Sequence, residues 1–413
     1  MTEAARSGTH QAAALQEAGG PADETGTRLG QALFLYMVGV TLIITLLPFQ
    51  FSWPSRWRVM LTGGAVDIIA NVLLFVPLGF LFRLARRNDA RHSALAVLGV
   101  GAAGSMAIEV AQLFEAERYS SVLDVATNAI GACAGAMLLD RLSAKLRVDG
   151  ALIGRLSLEL PLMGLIYLLV PLLWLNALAS GAQLERALLA VLLGVFGASV
   201  LGGLQRHHFA PASALGARGM ALGAAVWFLA GTFPGLLLHP AIFCGVTVGV
   251  GALAWWTGSR PLNASSPNRR FEVPVLRSAA PAYAAYLALL TVAPLLDGTG
   301  RWGAGIGFPG VATEWTKIEI LRFLELVAAS TMLGYMVAEF RGRATASFAE
   351  SLARLTGWGV GAALLGELVR GWHAGHGASA ARALVIAMAT VYGGWLYFLQ
   401  RDHVVRLTCS RGV

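Results

Sequence analysis

The chain has 413 residues, of which 56% are hydrophobic and only 13% charged; mean hydropathy is +0.64 and 49 residues are glycine. A soluble domain carries about 25% charged residues, so a soluble globular fold is excluded. The formal net charge of +8 is then a matter of membrane topology and not a nucleic-acid footprint.

Residues 1–28 are rich in Ala, Gly, Glu and Thr and contain no apolar signal-peptide core. They are expected to form a flexible cytoplasmic tail, with the first apolar run acting as the membrane-targeting segment. A span needs about 20 apolar residues, and twelve such runs occur. Four come first, at 31–51, 65–82, 93–114 and 121–139. Four follow at 156–179, 187–204, 219–238 and 240–257, the last two separated by His239 and interrupted by Pro234 and Pro240. After a linker at 259–278 come 279–296, 318–340, 355–374 and 383–400. The expected architecture is all-α and polytopic: a four-helix domain at 29–147, a middle region at 148–258, a further four-helix domain at 279–405 and a tail at 406–413.

Most of the 31 Lys and Arg residues fall on alternate loops, densest at Arg83, Arg86, Arg87 and Arg91. By the positive-inside rule, both termini are cytoplasmic and the protein lies in a bacterial inner membrane. The loop around Arg118 then faces outwards. Cys133 and Cys244 sit inside apolar runs and Cys409 in the tail, which is no disulfide framework.

One polar island interrupts the apolar runs. Glu109, Gln112, Arg118, Asp124 and Asn128 lie between Ile108 and Gly131, and upstream Asp67 and Asn71 form another polar stripe. Ionisable groups near membrane depth are costly, so such a group is a functional-site hypothesis by default. On helices Ser105, Glu109 and Gln112 share one face, as do Asp124, Asn128, Gly131 and Gly135. The two glycines would let a neighbouring helix approach closely. Two readings apply: a water-accessible pocket for a polar ligand or lipid headgroup, or an Arg118 ion pair with Glu109 or Asp124 that fixes loop geometry. Pro77 is expected to kink its helix beneath Asn71.

Asn-x-x-Leu-Phe-x-Pro-Leu-Gly from Asn71 to Gly79, followed by Glu109, Gln112, Arg118, Asp124, Asn128 and Gly131, resembles a VanZ-like domain. Those proteins are small polytopic membrane proteins of the bacterial cell envelope, and the founding member is associated with glycopeptide (teicoplanin) resistance. The resemblance implies an envelope role without settled chemistry. It suggests as partners membrane lipids and a cell-wall or lipid-linked precursor, with no nucleic acid.

The chain also echoes itself. Tyr36, Pro48, Trp57, Gly79, Glu109 and Phe114 recur as Tyr286, Pro294, Trp302, Gly334, Glu367 and Trp372. A parallel four-helix repeat would follow. It would be degenerate, because Asn71, Pro77, Arg118, Asp124 and Asn128 have no equivalents. In the second copy Arg322, Glu325, Glu367 and Arg370 are secondary candidates. Helical spacing pairs Arg322 with Glu319 or Glu325, and Glu367 with Arg370. No cofactor or metal is expected, and nucleophile elbows and nucleotide loops are lacking. The function expected is non-enzymatic ligand binding at the outer leaflet. Its rivals are a secondary transporter of a small polar solute or lipid and a membrane enzyme on a lipid-linked substrate.

Overall fold

A computed structural model describes residues 22–46, 51–53, 57–61, 63–86, 94–115, 119–148, 150–180, 186–209, 216–260, 272–307, 316–341, 347–373 and 377–409. Ten of its helices are long and apolar enough to cross a membrane, and the shorter apolar helices Gly30–Leu46 and Ala217–Gly231 occupy the other two expected spans. The protein is an all-α, multi-pass membrane protein. It forms two compact units, Met1–Leu160 with Leu399–Val413, and Pro161–Phe398.

The first unit contains α1 (Ala22–Leu46), α2 (Ala65–Ala85), α3 (Ala94–Gln112) and α4 (Val122–Val148). Helix α1 starts inside the stretch expected to be a flexible tail and ends before residue 51, shifted towards the N-terminus of the apolar run. Helix α2 runs unbroken through Pro77. Asp67 in its first turn accepts the Gly64 N–H at 3.1 Å, and Arg83 in its last turn suits the negative end of the helix dipole. Arg83 also meets Asp140 of α4 at 3.2 Å. The main packing partner of α2 is α4, and glycine makes that approach possible. A Cβ on Gly79 would strike the Ala132 carbonyl, and one on Gly135 the Val76 carbonyl. Small residues give membrane helices this closeness where apolar burial offers no drive. Two short strands, β1 (Val59–Met60) and β2 (Ser120–Ser121), pair in parallel at one end, Val59 opposite Ser120 and Met60 opposite Ser121.

The second unit takes most of α5 (Gly150–Ala179), then α6 (Ala187–Leu204), α7 (Ala217–Gly231), α8 (Phe233–Leu238) and α9 (Pro240–Ser259). The run at 219–238 is therefore not one helix. It breaks at Thr232, and Pro234 opens the short α8 while Pro240 opens α9. A proline lacks an N–H and fits the first helical turn, so both prolines start helices here. Next come α10 (Glu272–Val292), α11 (Lys317–Arg341), α12 (Phe348–Arg370) and α13 (Ala380–Cys409), which is one helix where a tail was expected from 406. Between them β3 (Ala304–Gly305) and β4 (Ala378–Ser379) form a second parallel pair, Ala304 opposite Ala378 and Gly305 opposite Ser379. In α11 and α13, a Cβ on Gly334 would strike the Thr390 carbonyl and one on Gly393 the Thr331 carbonyl.

Candidate functional site

The end of the first unit that carries β1 and β2 also carries the end of α3 and the starts of α2 and α4. Glu109, in the last turn of α3, is buried, and its Oε2 accepts the Ser121 backbone N–H at 2.6 Å. Ser121 precedes α4, and its Oγ accepts the Asp124 N–H at 3.3 Å, as an N-cap should. Around this point Gln112 Nε2 donates to the Thr45 carbonyl of α1 at 2.9 Å. Asn128 Nδ2 donates to Ser105 Oγ at 2.8 Å. The buried Asn128 Oδ1 has no hydrogen-bond partner.

The other expected residues divide. Asp67 is exposed and engaged with Gly64, while Asn71 and Asp124 are half-buried. No hydrogen bond or ion pair joins Asp67, Asn71 or Asp124 to Glu109. Arg118 lies outside the described residues. The structure thus brings Glu109, Gln112 and Asn128 into the buried part of one end and leaves the carboxylates of Asp67 and Asp124 nearer its surface.

The rim is aromatic. The Ser52 N–H donates to the Phe114 carbonyl at 2.7 Å, and the rings of Trp53 and Trp57 lie 5.7 and 5.9 Å from that of Phe114. The Arg58 guanidinium stands 5.9 Å from the Tyr119 ring. Exposed tryptophan at a helix end is the signature of a membrane–water boundary.

Below the polar group an apolar groove of about 160 Å³ opens among the four helices, lined by Val38, Thr41, Phe75, Phe82, Val100 and Ile108 among others. Gly79, Gly101 and Gly104 also line it. Thr41 is buried, and its Oγ1 has no hydrogen-bond partner. The groove and the polar group are joined through two strands of contact. Ile108 precedes Glu109 directly. The Thr41 carbonyl accepts the Thr45 hydroxyl at 2.8 Å, and the Thr45 carbonyl in turn holds Gln112.

Two further constellations lie in the second unit. At the start of α13 the Ser379 N–H donates to Glu367 Oε2 at 2.7 Å, and Arg382 grips both oxygens of the same carboxylate at 2.6 Å each. Arg370 does approach Glu367, as helical spacing suggested, but at 3.6 Å. The stronger partner, Arg382, was not among the expected residues. Elsewhere Glu325, wholly buried, takes Asn176 Nδ2 at 2.9 Å and the Tyr286 hydroxyl at 3.0 Å, and is ion-paired to Arg186. Its ion-pair partner is therefore Arg186 and not Arg322 on its own helix. Asn176 and Arg186 went unnamed in the sequence, and Tyr286 was named only as the echo of Tyr36, because Arg186 reads as a loop charge and stands far from Glu325 in the chain.

Among the described residues no group of three or more His, Cys, Asp or Glu side chains is placed to hold a metal ion. No curated protein and no solved structure matches the chain. A VanZ/LLP1 family profile matches residues 22–143, which spans α1 to α4 up to the last turns of α4 and holds every residue of the polar group and groove. The N-terminal region of this membrane protein is a VanZ/LLP1-family domain.

Proposed function

We propose that the N-terminal domain binds an amphipathic lipid or lipid-linked envelope precursor, with its chain in the groove and its polar head among Glu109, Gln112, Asp124 and Asn128. The observation that carries this reading is the continuity of groove and polar group through Ile108–Glu109 and Thr41–Thr45–Gln112. An apolar cavity of about 150 Å³ takes a molecule the size of benzene, so the groove has room for a short length of alkyl chain. Bilayer chains are as apolar as the groove, so the groove alone selects nothing. Selection falls to the polar end, where Asn128 Oδ1 is an acceptor awaiting a donor. A headgroup carrying N–H or O–H groups fits that need.

In this reading the polar end faces the outer leaflet of the inner membrane, both termini are cytoplasmic, and ligand capture alters envelope assembly or glycopeptide susceptibility. The charge asymmetry of the loops supports the orientation. It is tested with single cysteines in a background with Cys133, Cys244 and Cys409 replaced by Ser. Cysteines at Arg118 and Gly300 react with a membrane-impermeant thiol reagent on intact spheroplasts, and those at Arg87 and Ser266 do not; reversal at any of the four ends the outward assignment.

Binding is tested with Asp124→Asn, which keeps shape and removes charge. The variant keeps protein level and detergent melting and loses the envelope phenotype, read as lipoglycopeptide sensitivity. Loss of the folded protein together with the phenotype makes the cluster a structural lock instead. One observation favours the transporter reading, the buried Arg186–Glu325 group in the second unit. Transport predicts solute uptake into proteoliposomes that Glu325→Gln abolishes, whereas lipid capture predicts no uptake.

A further inference from the structure

The two glutamate sites match contact for contact. Ser121 N–H meets Glu109 and Ser379 N–H meets Glu367. Ser121 Oγ takes the N–H of Asp124, and Ser379 Oγ that of Arg382 at 3.1 Å. The Ser120 N–H donates to the Arg58 carbonyl, and the Ala378 N–H to that of Gly303. The bridge from Phe51 to Glu115 answers that from Thr299 to His373. The helix contacts follow the same register. Gly79 against Ala132 becomes Gly334 against Thr390, and Gly101 beside Ala129 and Ala132 becomes Gly359 beside Ala387 and Thr390. Chance similarity between apolar sequences does not reproduce a parallel ladder, a capping serine and glycine contacts in one register.

That register pairs Gln112 with Arg370, Asp124 with Arg382 and Asp67 with Arg322. Two positions near the glutamate, amide and acidic in the first site, are arginine in the second, and Arg322 stands where α2 has Asp67. One carboxylate neutralises one guanidinium, and Arg382 already takes both oxygens of Glu367. Arg370 shares the same carboxylate only at 3.6 Å, so two guanidiniums face one glutamate. Arg370 is more than nine-tenths buried, and its Nη1 makes no hydrogen bond. Gly366, one turn earlier, leaves the space in which that Nη1 lies. A buried guanidinium without a full set of acceptors is costly, and its planar fork matches phosphate and carboxylate oxygens. The rim again carries half-exposed tryptophans, Trp302 and Trp372, with Trp302 Nε1 donating to the Leu368 carbonyl at 3.2 Å.

We propose that residues 279–402 are a second copy of the N-terminal domain whose site has changed sign, and that Arg370, framed by Glu367 and Arg382, binds a phosphate group. The phosphate belongs either to a lipid headgroup or to a free ion, and the site goes beyond the lipid capture assigned to the first domain. The test uses the full-length protein in nanodiscs of phosphatidylcholine, titrated with radiolabelled inorganic phosphate by equilibrium dialysis. A parallel arm compares melting in phosphatidylglycerol with melting in phosphatidylcholine nanodiscs. Arg370→Gln, which installs the residue of the first site, weakens the effect about tenfold or more, as loss of a charged hydrogen bond does. Phosphate binding lost in this variant assigns a free ion; a phosphatidylglycerol-specific rise in melting lost in it assigns a headgroup. Glu109→Gln leaves either effect in place. Arg370→Lys, which keeps the charge and loses the fork, gives an intermediate affinity and serves where Arg370→Gln does not fold. Wild-type protein that shows neither effect, or variants that retain it in full, overturn the proposal.

Discussion

Glu109, near the end of α3, and Glu367, near the end of α12, each receive the backbone N–H that precedes the next helix. Their surroundings differ in the residue three positions after the capping serine. Arg382 reaches back from the first turn of α13 and closes a bidentate pair on Glu367. Asp124, in the first turn of α4, donates its N–H to Ser121 Oγ and is acidic where Arg382 is basic. An arginine thus follows the capping serine at Glu367, where an aspartate follows it at Glu109. A buried ion pair fixes geometry at little net gain in stability, so the Arg382–Glu367 pair serves as frame.

The largest effect that separates the two glutamates is loss of that pair. Arg382→Gln leaves Glu367 buried without its bidentate partner and costs about 3–5 kcal/mol. Asp124→Ala, at the matched position, stays within about 0.5 kcal/mol. Urea or thermal melts in detergent compare the two, and equal losses would erase the distinction. Next in size is the shared packing. Gly135→Ala and Gly393→Ala each push a Cβ into a backbone carbonyl and cost about 1–3 kcal/mol. A silent Gly393→Ala beside a damaging Gly135→Ala would show that the two units are not packed alike. The smallest effect is at the caps. Ser121→Ala costs about 1 kcal/mol. Ser379→Ala costs more by about 0.5–1.5 kcal/mol, because Ser379 Oγ also donates to the Gly307 carbonyl at 2.8 Å. Equal cap losses would count against that second bond.

Much of the fold could be read from hydropathy, since spans such as 65–82 and 187–204 fall on α2 and α6 almost end to end. The reading failed where a helix stops for a local reason. Helix α7 ends at Thr232 because the chain turns there and Pro234 starts α8. The polar group was legible in part. Glu109, Gln112 and Asn128 stand out because polar residues in apolar helices are rare. Asp67 stood out for the same reason, yet it is exposed and engaged with Gly64 at the start of α2. Partners were the least legible feature. Helical spacing offered Arg370 to Glu367, and that pair forms at 3.6 Å, but the closer partner Arg382 and the Arg186 partner of Glu325 come from outside the helix. Those pairings depend on which helices pack together, and so does the groove, whose lining residues come from four helices and share no spacing.

The central claim is that a lipid chain occupies the groove beneath Glu109. A phospholipid with a diazirine on its acyl chain, photolysed with the full-length protein in nanodiscs and mapped by peptide mass spectrometry, tests it directly. The account predicts adducts at Val38, Phe75 and Val100, all groove-lining, and their loss in Gly104→Leu, a groove-lining position where an added Cβ meets nothing within 4 Å. Adducts spread evenly over outward residues such as Leu35, Val66 and Leu95, and unchanged by Gly104→Leu, would contradict it.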